Sequence, residues 1–159
     1  MCDGAIGLSA GLFYAPQSFA KTDEVIALAR EAATRGGIYD THQRDESTYS
    51  IGLMASTREV LRIGKEGGLP VHISHIKALG HDVWGKSTDV IRLIQAARAA
   101  GQDVTANQYP WLASNTGLEA ALVPRWAADG GTAAMLRRFQ DPGLMPRIRV
   151  EMAQIRARR

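Results

Sequence analysis

The sequence predicts an α/β protein built on a parallel sheet, and two observations carry that reading. Short β-prone segments opened by glycine recur at a fixed spacing: GGIYDTH (36–42), GLPVHISH (68–75) and GQDVTANQY (101–109) align on Ile38, Val71 and Val104, each 33 residues after the last. Amphipathic helical segments fill the intervals, and strand followed by helix, repeated, is the pattern of parallel strands joined by crossover helices.

Taken in order, GAIGLSAGLFY (4–14) supplies a first strand, with Ile6 standing 32 residues before Ile38. Strands are therefore expected near 4–14, 37–42, 70–76 and 103–109. TDEVIALAREAATRGG predicts the first helix, with Thr22 as N-cap, acids in the first turn and Gly36 as the stop. Its sheet-facing side would hold Val25, Ile26, Leu28, Ala29, Ala32 and Ala33. STREVLRIGKEGG predicts the second, with Ser56 and Glu59 at capping-box spacing and Gly67-Gly68 at its end. STDVIRLIQAARAAG predicts the third, with Val90, Ile94 and Ala97 facing the sheet and Gly101 at the stop. The tail, 118–159, reads as short helices broken at Pro124, Gly130-Gly131 and Pro142, with Trp126 and Phe139 as core anchors.

At 159 residues and 45% hydrophobic content the chain is long enough for one domain with a core of its own, and a single domain over 1–159 is the expectation. The formal charge of +3 is concentrated in RIRVEMAQIRARR, which holds five arginines and one glutamate and leaves the remainder close to neutral. Basic residues there suit a solvated helix end, so no nucleic-acid partner is expected. The lone Cys2 excludes an intrachain disulfide framework and fits a reducing compartment. No basic leader and no long apolar run stands in the sequence, so a cytoplasmic chain without a membrane partner is expected. Neither a GxGxxG nor a phosphate-loop motif is present, which ranks a nucleotide-binding domain last.

The repeat also pairs two histidines. His42 lies four residues after Ile38 and His75 four after Val71, so both fall at the C-terminal ends of neighbouring strands, where parallel α/β sheets build their sites. Two imidazoles so placed are candidate metal or catalytic groups. By alternation along its strand His72 would face away from His75, and His81 sits in a Gly-flanked loop; both are taken as residues without a site role. Arg44, Asp45 and Glu46 follow His42, Lys77 follows His75, and Tyr109 stands at the end of the last strand segment. A cation, a phenol and two imidazoles around one crevice suit an anionic substrate beside a metal.

Four stretches in order, GAIGLSAGLFYAP, YDTHQRDE, ISHIKALG and DVTANQYPWLASNT, resemble the middle of the D-aminoacylase (N-acyl-D-amino-acid deacylase) family of the amidohydrolase superfamily, over roughly residues 3 to 142. That family reads GLSxGLxYxP, YxTHxRxE, SHxK and a DxYPY-like segment. The resemblance implies part of a (β/α)8 TIM barrel of metal-dependent hydrolase type, of which this chain holds about four βα units. It also implies hydrolysis of the amide of an N-acyl-D-amino acid by a zinc-activated water, with an Asp from a late strand as general base and then acid. His42 and His75 match the family's zinc ligands. Lys77 and Tyr109 match positions that hold the substrate carboxylate, Tyr14 lines the same pocket, and Asn115 stands where the family has a serine. Arg44 and Glu46 match motif positions without an assigned role. Asn107 replaces the usual Asp and removes its charge, and Trp111 replaces a Tyr.

The family's His-x-His strand, its Gly-Asn-Cys-Gly-like turn and its Asp-bearing strand have no counterpart in the sequence, so no catalytic residue is assigned and an incomplete portion of a deacylase is expected. Four units leave both sheet edges open, and self-association through them is expected. The alternative is a non-catalytic remnant, an α/β module that binds an anionic small molecule through Lys77 and Tyr109 without a metal.

Overall fold

The structure is a computed structural model and describes residues 1 and 3–158; Cys2, the lone cysteine, and Arg159 lie outside the described residues. Strands β1 (Gly7–Gly11), β2 (Ile38–His42), β3 (Val71–Ile73) and β4 (Val104–Ala106) form one parallel sheet in sequence order. Helices α1 (Thr22–Ala33), α2 (Leu53–Gly67) and α3 (Ser87–Ala99) are the crossovers, and α4 (Leu118–Leu122), α5 (Arg125–Ala128), α6 (Gly131–Gln140) and α7 (Met145–Ala157) make the tail. Each strand lies inside its predicted segment and is shorter than it. Among the described residues no helix is long and apolar enough to cross a membrane.

Period-two alternation gives the sheet two different faces. Tyr39, Thr41, Val71, Ile73 and Val104 are buried against Val25, Ile26 and Ala29 of α1, Val60 and Ile63 of α2, and Val90 and Ile94 of α3. Ile38, Asp40, His42 and His72 on the other face are half-buried, and Thr105 is exposed. Three helices thus cover one side of the sheet, and the polar side is left for the site. Leu28, expected on the covered side, is 51% exposed. It stands on the flank of α1 that lies beyond the stripe formed by Val25, Ile26 and Ala29.

The register departs from the repeat at two steps. Val71 pairs with Val104 as the 33-residue spacing requires, but Val71 pairs with Tyr39 and not Ile38, and Ile38 pairs with Gly7 and not Ile6. Burial of the large Tyr39 side chain with Val71 and Val104 sets this register, because a one-residue slip would turn it to the polar face. His72 therefore stands beside Asp40, on the same face as His42, contrary to the expectation from alternation; its Nδ1 lies 2.8 Å from Thr105 Oγ1.

Two helix starts also differ from prediction. Lys21, not Thr22, is the N-cap of α1, and Thr22 Oγ1 instead donates to Glu59 Oε1 at 2.7 Å. Helix α2 begins three residues before the expected capping box, after Gly52 with φ 84°. Asp45 is the cause: its carboxylate accepts from the backbone N–H groups of Ser47, Ser50 and Gly52, winding the loop so that the chain enters the helix at Leu53. Ser56 is then buried inside the helix, where its Oγ accepts from the Asp45 N–H at 2.9 Å. The stop agrees with prediction: Gly68 is left-handed and its N–H donates to the Gly64 carbonyl. Gly64 itself is required by packing, since a Cβ there would lie 2.0 Å from Val71 Cγ2.

The tail helices gather a second apolar cluster around Val123, Ala127, Met135 and Ile148, with Trp126 and Phe139 packed against it. Trp126 Nε1–H donates to Glu151 Oε2 at 2.7 Å, which satisfies the indole.

Candidate metal centre

The YDTHQRDE segment ends β2 and divides its side chains between construction and chemistry. His42 closes the strand on the polar face, against the rings of Tyr14 and Phe13 at centroid distances of 4.9 and 5.5 Å. Gln43 is buried. Arg44 turns the other way and clasps Glu59 of α2, from Nε at 2.8 Å to Oε2 and from Nη2 at 2.9 Å to Oε1; its remaining N–H groups donate to the carbonyls of Ser18 and Ala20. Asp45 winds the loop described above. Glu46 then returns to the polar side, 4% exposed.

His75 reaches the same place by another route. Beyond Ile73 the chain leaves the ladder, and His75 adopts φ 41°, the left-handed region that non-glycine residues rarely occupy. Its backbone N–H donates to Asn107 Oδ1 in the segment after β4. That turn compensates the register offset and brings His75 Nε2 to 3.0 Å from His42 Nδ1, with ring centroids 4.5 Å apart. The two histidines meet through a strained turn and not through equivalent strand positions.

Lys77 stands behind this pair. Its Nζ donates to Glu46 Oε1 at 2.6 Å and lies 2.8 Å from His75 Nδ1 and 5.5 Å from the centre of the Tyr109 ring. An ammonium only donates, so His75 Nδ1 accepts; the proton of a neutral His75 is then on Nε2, aimed at His42 Nδ1, and that of His42 on Nε2. His42 Nε2 is buried without a hydrogen-bond partner among the described residues.

The electrostatics favour neutral imidazoles. Burial, followed by the neighbouring His75, Lys77 and Arg125, pushes His42 down to about 3. Burial and then Lys77 lower His75. Burial raises Glu46 to about 7, outweighing the attraction of Lys77, and burial followed by Glu46 raises Tyr109. Neutral imidazole is the form that ligates a metal.

These residues fit a divalent ion. One donor atom each from His42, Glu46 and His75 lie within 4.8 Å of one another. A tetrahedral ion with bonds of about 2.0–2.1 Å spaces two nitrogen donors by about 3.3 Å, close to the 3.0 Å observed. Two imidazoles with a carboxylate nearby suit zinc.

The pair opens on a cleft of about 530 Å³ that His42, His75, Lys77, Tyr109, Tyr14 and Asn115 all line. Glu46 lines it too, and sequence reasoning gave it no role; the hint was its place in the YxTHxRxE match. Asn107 fixes the His75 backbone, a task for which its side-chain carbonyl needs no charge. Trp111 is 73% exposed at the rim. His81 packs tilted against Trp84, ring centroids 4.2 Å apart, in the short 3-10 turn His81–Val83 and its following residue.

No protein-family model matches the sequence. A D-aminoacylase from Alcaligenes xylosoxydans xylosoxydans is 44% identical over 119 residues, which are 75% of this chain and 24% of that protein. Over that span the chain is a homologue of the D-aminoacylases. A D-aminoacylase structure described for its binuclear metal centre, with one-metal activation and second-metal attenuation, superposes with a TM-score of 0.69 at 40% identity, covering 76% of this chain and 25% of that one. An N-acyl-D-glutamate deacylase from Bordetella bronchiseptica, complexed with zinc and a phosphonate mimic of the tetrahedral intermediate, superposes with a TM-score of 0.64 at 37% identity, covering 68% and 22%. The fold is accordingly part of an amidohydrolase TIM barrel, and the chain spans about a quarter of the length of the relatives it matches.

Proposed function

We propose that this chain forms, as a single partial barrel domain, the part of an amidohydrolase site that binds zinc through His42 and His75 and receives the substrate of an N-acyl-D-amino-acid deacylase. The reaction would hydrolyse the amide to a carboxylate and a free D-amino acid. The observation that carries the reading is the 3.0 Å approach of His42 Nδ1 and His75 Nε2 at the head of the cleft, with Lys77 behind it. When bound, the ion supplies Lewis acidity to the scissile carbonyl and makes water at its side more acidic.

The chain's own residues do the rest of the positioning. Lys77 Nζ, beside the Tyr109 ring, offers an ammonium to the substrate carboxylate, and Tyr14 and Asn115 bound the same cleft. Phe13 and Tyr14 shield His42 from bulk water, which keeps it neutral. The alternative, a metal-free anion-binding module, relies on the same Lys77 but leaves the facing His42 Nδ1 and His75 Nε2 without a role, and so has less to recommend it. Strands β1 and β4 stand at the sheet edges, and we expect copies of the chain to associate there. A reducing, cytoplasmic setting agrees with the single cysteine.

Equilibrium dialysis against zinc tests the ligand assignment directly. One equivalent is expected to bind the chain, and none to bind His42→Ala or His75→Ala. Full retention by either variant sinks the assignment.

A further inference from the structure

Among the groups around the cleft, Glu46 is a nearly buried carboxylate that the ligand pair does not use. The two histidines present Nδ1 of His42 and Nε2 of His75 to each other. Their other nitrogens point elsewhere, and both meet the same residue: His75 Nδ1 lies 3.5 Å from Glu46 Oε1, and His42 Nε2 lies 3.7 Å from Glu46 Oε2. One carboxylate thus addresses both rings from behind, one oxygen to each. Lys77 Nζ bridges the nearer side, bonded to Glu46 Oε1 and in contact with His75 Nδ1.

We propose that Glu46 is the positioning residue of the metal site, a carboxylate that orients both ligand imidazoles through the ring nitrogens they turn away from the metal. The proposal rests on the metal reading above and deepens it. Histidine ligands ordinarily give their second N–H to a carboxylate or carbonyl, which fixes ring orientation and tautomer and raises ligand basicity. Such a partner acts only if it cannot move. Glu46 is fixed on both sides: Asp45 before it anchors three backbone N–H groups of the following loop, and the Glu46 carbonyl accepts from the Leu79 N–H at 2.8 Å.

The same geometry argues against Glu46 as a third ligand. A ligand oxygen has to converge on the point between the facing nitrogens, whereas both Glu46 oxygens address the nitrogens on the far sides. For His42 the arrangement also supplies an acceptor: its buried Nε2 has no hydrogen-bond partner among the described residues, and Glu46 Oε2 stands 3.7 Å from it.

The test uses the full chain with 15N-labelled histidine, in wild-type, Glu46→Gln, Glu46→Ala and His42→Ala forms, with zinc alone as the probe. In Glu46→Ala zinc is expected to bind with unchanged stoichiometry and about 10- to 100-fold weaker. In the same variant without metal, the ring 15N shifts of His42, whose Nε2–H faces Glu46, are expected to move toward a mixture of tautomers, whereas His75 Nδ1 accepts from Lys77 and reports on Glu46 only through that lysine. Glu46→Gln keeps one acceptor oxygen and the side-chain volume, and is expected to recover part of both. Zinc binding lost as completely as in His42→Ala would make Glu46 a ligand and overturn the proposal. Unchanged affinity with unchanged ring shifts would overturn it equally. A wild-type chain that takes up no zinc refutes the metal reading and the proposal's metal clause together. The metal-free ring shifts then still show whether Glu46 orients the imidazoles. If Glu46→Ala fails to fold, the shifts and affinity of Glu46→Gln decide.

Discussion

Replacing Arg44 with Met removes the side chain that ties three parts of the fold together, and the magnitude follows from what is left behind. In the native chain the guanidinium is 12% exposed and spans the Glu59 carboxylate, itself 6% exposed, together with the Ser18 and Ala20 carbonyls. Among the described residues, Glu59 then keeps the Thr22 hydroxyl at 2.7 Å, and the two carbonyls lose the Arg44 donors. Breaking a buried pair from one side costs about 3–5 kcal/mol. Set against a typical domain stability of about 5–15 kcal/mol, that is a large fraction. Urea denaturation followed by circular dichroism is the assay, with the midpoint read at constant slope. The double variant Arg44→Met/Glu59→Leu removes both charges and is expected to regain a good part of the loss, because the uncompensated carboxylate goes with it. A loss below about 1 kcal/mol in Arg44→Met, the range of an exposed pair, would refute the reasoning.

Two further outcomes are expected. In the metal-free chain, His42 at about 3 contributes stability that is present above its ordinary 6.5 and lost as pH falls; Glu46 at about 7 contributes the opposite, stability present below its ordinary 4.5 and lost as pH rises through 7. Between pH 4.5 and 6.5 the two slopes, each at most about 1.4 kcal/mol per pH unit, oppose each other, so thermal melts of wild type should vary little there while Glu46→Gln weakens on acidification; a flat profile in Glu46→Gln speaks against the His42 shift. Gly64→Ala should lower stability by about 1–3 kcal/mol because its Cβ would meet Val71 Cγ2 at 2.0 Å, whereas Gly117→Ala, with open space around it, should leave the melting temperature unchanged.

Much of this fold was legible in the sequence because its units repeat. Gly-led strands and periodic helices at a 33-residue spacing located four strands and three crossover helices, and placed His42 and His75 at the same end of the sheet. What spacing does not encode is register, which here follows from burying Tyr39 beside Val71 and moves His72 to the polar face. Nor does it encode the left-handed turn at His75 that makes good the offset. Local motifs misled where tertiary partners outbid them: Ser56 and Glu59 have capping-box spacing, yet Asp45 and Arg44 claim them from outside the helix. Glu46 was the hardest to read. A glutamate in a polar loop carries no mark of burial, and its role depends on Lys77 and on two rings, one of them 29 residues away.

The bonding of Lys77 has a consequence for which molecules the cleft admits. Its ammonium is shared between a carboxylate and an imidazole, so any incoming anion exchanges one bond for another and gains little from the contact alone, about 1 kcal/mol or less. A free monocarboxylate such as acetate is therefore a poor competitor. A molecule already held at a second point makes the exchange intramolecular, at an effective concentration no solute in bulk can match. If Lys77 receives the substrate carboxylate as proposed, it works as a turnstile: it yields to ligands that arrive with two handles the right distance apart, and stays shut to those that arrive with one.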